Sequence, residues 1–152
     1  MTMRCGIWCR LSALAAAALL AGCDGGSGQP RAEGAWVRLP AVAGRPAAAY
    51  VTLRGGREAV KLKTMQVPAA RRVELHRSMS DGGMMSMTPI DRIDVPAGGT
   101  VSLEPGGMHA MLFDLDPALK AGGTTRMTLM FDRAPAIELE ATLVAPGGAK
   151  PE

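Results

Sequence analysis

Two histidines and a run of methionines carry the chemistry of this 152-residue chain. His76 is followed after ten residues by Met87, and twenty-one residues later comes His109-Ala110-Met111. No other histidine exists in the chain, and six of its eleven methionines (Met79, Met84, Met85, Met87, Met108 and Met111) fall between residues 79 and 111. Thioether sulfur and neutral imidazole form an uncharged, soft donor set, which suits Cu(I) better than zinc, calcium or magnesium. No acidic cluster accompanies them. Four such ligands, His76, Met87, His109 and Met111, would suit a tetrahedral Cu(I) ion, with Met85 as an alternate sulfur and Met79 as an exposed auxiliary.

Strand geometry gives the spacing its meaning. His109 and Met111 are two apart and leave the same face of a strand, as do Met85 and Met87 on theirs. Met84 and Met108 then point the opposite way, into the core. Asp81-Gly82-Gly83 allows a reversal that brings His76 beside Met87 across a hairpin. Methionines elsewhere, Met65, Met127 and Met130, read as core filler.

The elements that must position these side chains are short and β-like. Apolar or alternating runs cover residues 35–38, 48–53, 60–67, 73–77, 84–88, 100–103, 109–115, 125–131 and 137–144. Glycine and proline punctuate them at 55–56, 81–83, 96–99, 105–107 and 122–123. Strands at such spacing, broken by turn residues, predict a sandwich or Greek-key barrel. Only residues 117–120 suggest a helical turn. Residues 34–144, about 110 in number, are enough for one domain with a single core. Residues 145–152 read as a disordered tail.

The start of the chain indicates export. Arg4 and Arg10 precede an apolar run of about eleven residues, which is too short to span a bilayer as a helix and has the layout of a signal peptide over residues 1–22. Leu20-Ala21-Gly22-Cys23 resembles a bacterial lipobox, which makes Cys23 the lipidated first residue of the mature protein. Residues 23–33 then form the lipidated cysteine and a flexible tether, about 18 Å long on average over its last ten residues. With Cys5 and Cys9 removed, no free thiol remains. This fits an oxidising envelope, where methionine binds copper without the disulfide liability of cysteine. Asp24 favours retention in the inner membrane, facing the periplasm.

Removal of Arg4 and Arg10 lowers the formal charge from +3 to about +1. No basic stripe or interleaved aromatic set points to nucleic acid, and Arg71-Arg72 reads as a solvated turn. A blue-copper electron carrier needs a cysteine thiolate that the mature domain lacks. No nucleophile, base and orienting-group spacing is evident, and no phosphate loop, so an enzyme is disfavoured.

The segments Glu74-Leu75-His76, Met85-Ser86-Met87, Pro96-Ala97-Gly98-Gly99-Thr100 and Pro105-Gly106-Gly107-Met108-His109-Ala110-Met111-Leu112 together resemble the periplasmic copper chaperone family PCuAC. The His-x10-Met-x21-His-x-Met motif of that family matches without a gap. Ala35-Trp36-Val37-Arg38, Ala48-Ala49-Tyr50 and Leu119-Lys120-Ala121-Gly122 extend the likeness over residues 34–144. Gly55-Gly56 departs from the asparagine that relatives often carry there. The resemblance implies a cupredoxin-like fold and one Cu(I) on the two histidines and two methionines. It also implies copper delivery to the binuclear copper centre of cytochrome c oxidase subunit II, or to another copper chaperone. The competing readings are a periplasmic copper buffer or resistance lipoprotein, and a structural or adaptor lipoprotein whose methionines are core.

Overall fold

The computed structural model describes residues 28–152, so the signal segment and Cys23 lie outside the described residues. Ten strands build the domain: β1 (Arg31–Arg38), β2 (Ala47–Arg54), β3 (Val60–Gln66), β4 (Ala70–Asp81), β5 (Met84–Pro89), β6 (Ile93–Val95), β7 (Thr100–Leu103), β8 (Met108–Leu115), β9 (Thr124–Phe131) and β10 (Ile137–Val144). Among the described residues there is no α-helix.

Alternation writes this architecture. In β3 the pattern Val60, Leu62 inward and Lys61, Lys63 outward follows the two-residue period of a half-buried strand, and β9 and β10 repeat it. The strands run β5-β4-β8-β2-β1-β10-β9-β3-β6, with β7 added to the end of β2. All neighbours are antiparallel except β1 and β10. The sheet rolls up so that β3 also packs against β4. Val37, Leu53, Leu62, Met65, Ile93, Leu112, Met127 and Leu129 fill the interior at 2% exposure or less. The all-β expectation is met.

Several details differ from the sequence reading. Strand β6 was not foreseen, because three residues bounded by Asp91 and Pro96 are too few to show a period. The basic pair Arg71-Arg72 lies within β4 and not in a turn. Met130 is 40% exposed, since Met127 and Leu129 take the inward positions of β9. The tether is shorter than its composition implies: Arg31, Ala32 and Glu33 pair with Arg54, Leu53 and Thr52, and the Gly28 carbonyl accepts a hydrogen bond from the Arg57 amide. The first part of the tail folds back on the domain, with a turn at Ala145–Gly148 and the Gly148 carbonyl accepting from Arg38 Nε at 3.0 Å. In place of a helical turn over 117–120, residues 116–119 form a plain turn closed by Leu119 N–H on the Asp116 carbonyl.

Glycine is required at Gly55-Gly56. This turn is clamped by Gly55 N–H to the Gly99 carbonyl at 2.7 Å and Gly98 N–H to the Gly56 carbonyl at 2.8 Å. A Cβ on Gly55 would collide with the Pro96 carbonyl, and one on Gly56 with the Gly28 carbonyl.

Candidate metal centre

Strands β4, β8 and β5 bring the spaced histidines and methionines to one face of the sheet. The register pairs His76 with His109, Glu74 with Met111, and Ser78 with Met87. Directly opposed residues share a face, so His76, His109, Met111 and Met87 all stand on the side away from the core. The core side of β8 is taken by Ala110 and Leu112. Met87 faces Ser78 and not His76, whose β5 partner is Pro89, so the hairpin contact expected with His76 is a diagonal one. Gly82 and Gly83 form the two-residue loop, both with positive φ (56° and 85°), as a tight hairpin turn demands.

The two imidazoles lie with ring centroids 6.0 Å apart and planes inclined by 31°. Each is held through one ring nitrogen and offers the other. His109 Nδ1 donates to the Gly107 carbonyl at 3.1 Å, leaving Nε2 buried and without a partner. His76 Nε2 meets Glu74 Oε2 at 3.1 Å, leaving Nδ1 buried and without a partner. In neutral rings with these tautomers, both orphaned nitrogens are lone-pair acceptors that receive no hydrogen bond. Such nitrogens could each donate a lone pair to a metal ion, and ligating histidines characteristically donate their second N–H to a carboxylate or carbonyl.

The supports run further. Arg72 bridges Glu74 at 2.9 Å while its guanidinium lies 4.1 Å from the Phe113 ring centroid, so Glu74 is itself fixed. On the other side an aromatic row, Tyr50 at 6.5 Å from the His109 ring and Trp36 at 4.3 Å from Tyr50, backs the imidazole and is capped by Arg38. Burial lowers the pKa of His109, opposed by its hydrogen bond to Gly107 and assisted by the nearby His76. The shift favours the neutral ring, the form a metal needs.

Exposure grades across the site. His109 is buried at 4%, His76 and Met111 are partly covered, and Met87 is 57% exposed. Met85 shares the face of Met87, two residues nearer the tip, whereas Met79 pairs with Ser86 and stands on the opposite face of the ribbon. The expectation that Met84 enters the core is incorrect: it is 79% exposed, because β5 is the sheet's edge and all six of its residues lie outside the roll. Met108 does pack against the core, and Arg77 Nη2 reaches its sulfur at 3.7 Å. Among the described residues no group of three or more His, Cys, Asp or Glu is arranged to hold a metal. Sequence reasoning missed Glu74 as the orienting group; its position two residues before His76, on the same strand face, is the signal that locates it.

Truncating Glu74 should therefore loosen His76. Glu74→Ala is expected to weaken soft-metal binding about 10–100-fold. Glu74→Gln, whose amide oxygen still accepts from Nε2, should keep most of it. Competition titration of the two variants reads the difference, and undiminished binding by Glu74→Ala would remove the carboxylate from the site.

Comparison with known proteins places the chain in a family and a fold. Residues 31–143 match the family described as putative lipoprotein LpqE-like. The chain belongs to the LpqE-like family. A putative lipoprotein of Leifsonia xyli subsp. xyli is 38% identical over 64 residues, which cover 41% of this chain and 39% of that protein. The chain thus spans about two fifths of the curated relative it matches. Among solved structures, the copper-bound PCuAC domain from PmoF2 superposes with a TM-score of 0.66 at 25% identity, over 78% of this chain and 95% of that one. The Cu(I) form of DR1885 from Deinococcus radiodurans gives 0.60 at 32% identity, over 72% and 74%. The LpqE-like domain therefore has the cupredoxin-like fold of PCuAC domains, and the PCuAC resemblance of the sequence extends to the three-dimensional structure.

Proposed function

We propose that this LpqE-like protein is a Cu(I) metallochaperone of the bacterial envelope, with copper as cargo and no catalytic reaction. One observation carries the reading: two imidazoles, each anchored through one nitrogen, keep the other nitrogen buried and unpartnered, and the register puts both on the strand face that bears Met111 and Met87. That donor set of His76, Met87, His109 and Met111 is neutral and soft, the chemistry that selects Cu(I). The copper-bound neighbours of the same fold support it. Exposure of Met87 supports transfer, because a thioether at the surface can be exchanged for an acceptor's ligand while the buried His109 still holds the ion.

Delivery is read as directed to apo cytochrome c oxidase subunit II, at its binuclear copper centre, or to another copper chaperone. Titration with Cu(I) against a chromogenic chelator should show one tightly held ion. Mixing the loaded protein with the apo acceptor should then move copper faster than free chelator exchange does. Tight binding without transfer to either acceptor would make the protein a buffer; no binding would refute the metal site itself.

The protein is further read as a lipoprotein anchored through Cys23 in the inner membrane and facing the periplasm. The Leu20-Ala21-Gly22-Cys23 sequence and the lipoprotein description of the family support this. Cys23→Ser should convert a membrane-bound protein into unprocessed precursor or soluble protein on fractionation. Wild-type protein in the outer-membrane fraction would overturn the inner-membrane assignment.

A further inference from the structure

The β4–β5 ribbon exposes four thioethers: Met79 at 56%, Met84 at 79%, Met85 at 61% and Met87 at 57%. Their cross-strand partners explain why. Met87 faces Ser78, Met85 faces Ser80, Met79 faces Ser86, and Met84 faces Asp81. A serine or aspartate directly opposite covers little of a long side chain, whereas an apolar partner at any of these positions would have packed over it. The ribbon thus leaves every sulfur open to solvent, on both faces. The Ala, Leu and Val pairs that bury side chains elsewhere in the sheet are absent from it.

Alternation sorts these sulfurs into two sets. Met85 and Met87 share the face of His76. Met79 and Met84 share the reverse face, with Asp81 beside them. Only the first set belongs to the centre described above.

We propose that Met79 and Met84 form a second, weaker site for a soft monovalent cation, Cu(I) or Ag(I), on the reverse face of the ribbon. The inference rests on the reading that this domain handles Cu(I). Met79 and Met84 are diagonal neighbours across an antiparallel pair, a separation of about 7–8 Å that two long flexible side chains can close onto one ion. Two thioethers satisfy a soft d10 cation and offer nothing to a hard one. The Asp81 carboxylate, on the same face, supplies attraction for a positive charge. The cation on that face, Arg77, is turned toward the Met108 sulfur, away from the tip. Exposure of both side chains makes the site fast to fill and to empty, and it shares no residue with the imidazole centre. It serves as a holding position for copper on its way into or out of that centre.

The test is titration of Ag(I), a redox-inert stand-in for Cu(I), into the protein labelled with 13C at the methionine methyls. The first equivalent should shift Met87 and Met111, and the second should shift Met79 and Met84 together. Replacing both by leucine (Met79→Leu with Met84→Leu) should abolish the second step and leave the first intact; exposed strand positions accept leucine without harm to the fold. His109→Ala should do the reverse. If Met79 and Met84 do not move by two equivalents, or if either alone binds as well as the pair, the second site is refuted while the first equivalent still reports on the imidazole centre.

Discussion

Replacing His109 by alanine should remove most of the Cu(I) affinity while leaving the domain folded. His109 is the most buried of the proposed ligands, at 4% exposure, and its Nε2 has no other partner. Its loss leaves one imidazole and two thioethers around a gap that water would fill. The affinity should fall by more than about a hundredfold, above the range that loss of a mere orienting group produces. Met111→Ala should act in the same direction, because Met111 stands on the same strand face and is partly covered. Met127→Ala is the contrast. Met127 is fully buried in β9, a strand that bears no ligand, so its truncation should cost about 2–5 kcal/mol of stability and leave copper affinity unchanged in the folded protein. Chelator competition and denaturant unfolding on the same three variants separate the two effects. Equal copper affinity in wild type and His109→Ala would end the assignment.

That these three substitutions can be told apart before any experiment reflects what strand spacing conveys. His109 and Met111 lie two apart and flank Ala110, so a strand there must place both on one face, and it does. Met65 and Met127 sit inside alternating apolar runs and are core. Prediction failed where the environment of a strand, not its period, decides burial. Met84 alternates correctly with Met85, yet both are exposed, because β5 lies at an edge and has no second layer over either face. Edge position depends on the order β5-β4-β8, a non-local pairing that no local run of residues encodes. The same limit hid the register. A two-residue Gly82-Gly83 loop sets Asp81 against Met84, and this fixes Ser78 opposite Met87 and displaces His76 by one step along the ribbon. Likewise, composition marks residues 31–33 as polar and tether-like, but their pairing with Arg54, Leu53 and Thr52 draws them into the sheet. Glu33 and Arg54 seal that end with a 2.7 Å ion pair, both side chains about half exposed.

Acid should weaken copper binding in a way that identifies the nitrogen ligands. An imidazole must be neutral to bind a metal, and its unperturbed pKa is about 6.5, whereas a thioether does not titrate. Burial holds the His109 pKa below the ordinary imidazole value, so in the apo protein this ring stays neutral to lower pH than an exposed histidine. Proton competition at His109 therefore starts below about pH 6.5 and not above it. Where one ring is protonated in the apo form, the apparent Cu(I) affinity should fall about tenfold per pH unit; where both are, it should fall about a hundredfold. Met87 and Met111 keep their affinity throughout, so binding should weaken without vanishing as it would at an all-histidine site. The fold itself should respond with the same sign. A histidine whose pKa is lower folded than unfolded binds its proton more readily when unfolded, so the apo domain should be most stable above about pH 6.5 and lose stability as pH falls through that value toward the folded pKa. Bound Cu(I) should oppose this loss, because it occupies the nitrogens that protons would take. Affinity measured from pH 7.5 to 4.5, with thermal unfolding of apo and loaded protein alongside, tests both slopes. A flat affinity over that range would show that neither histidine is a ligand and would leave methionine sulfur alone to hold the metal.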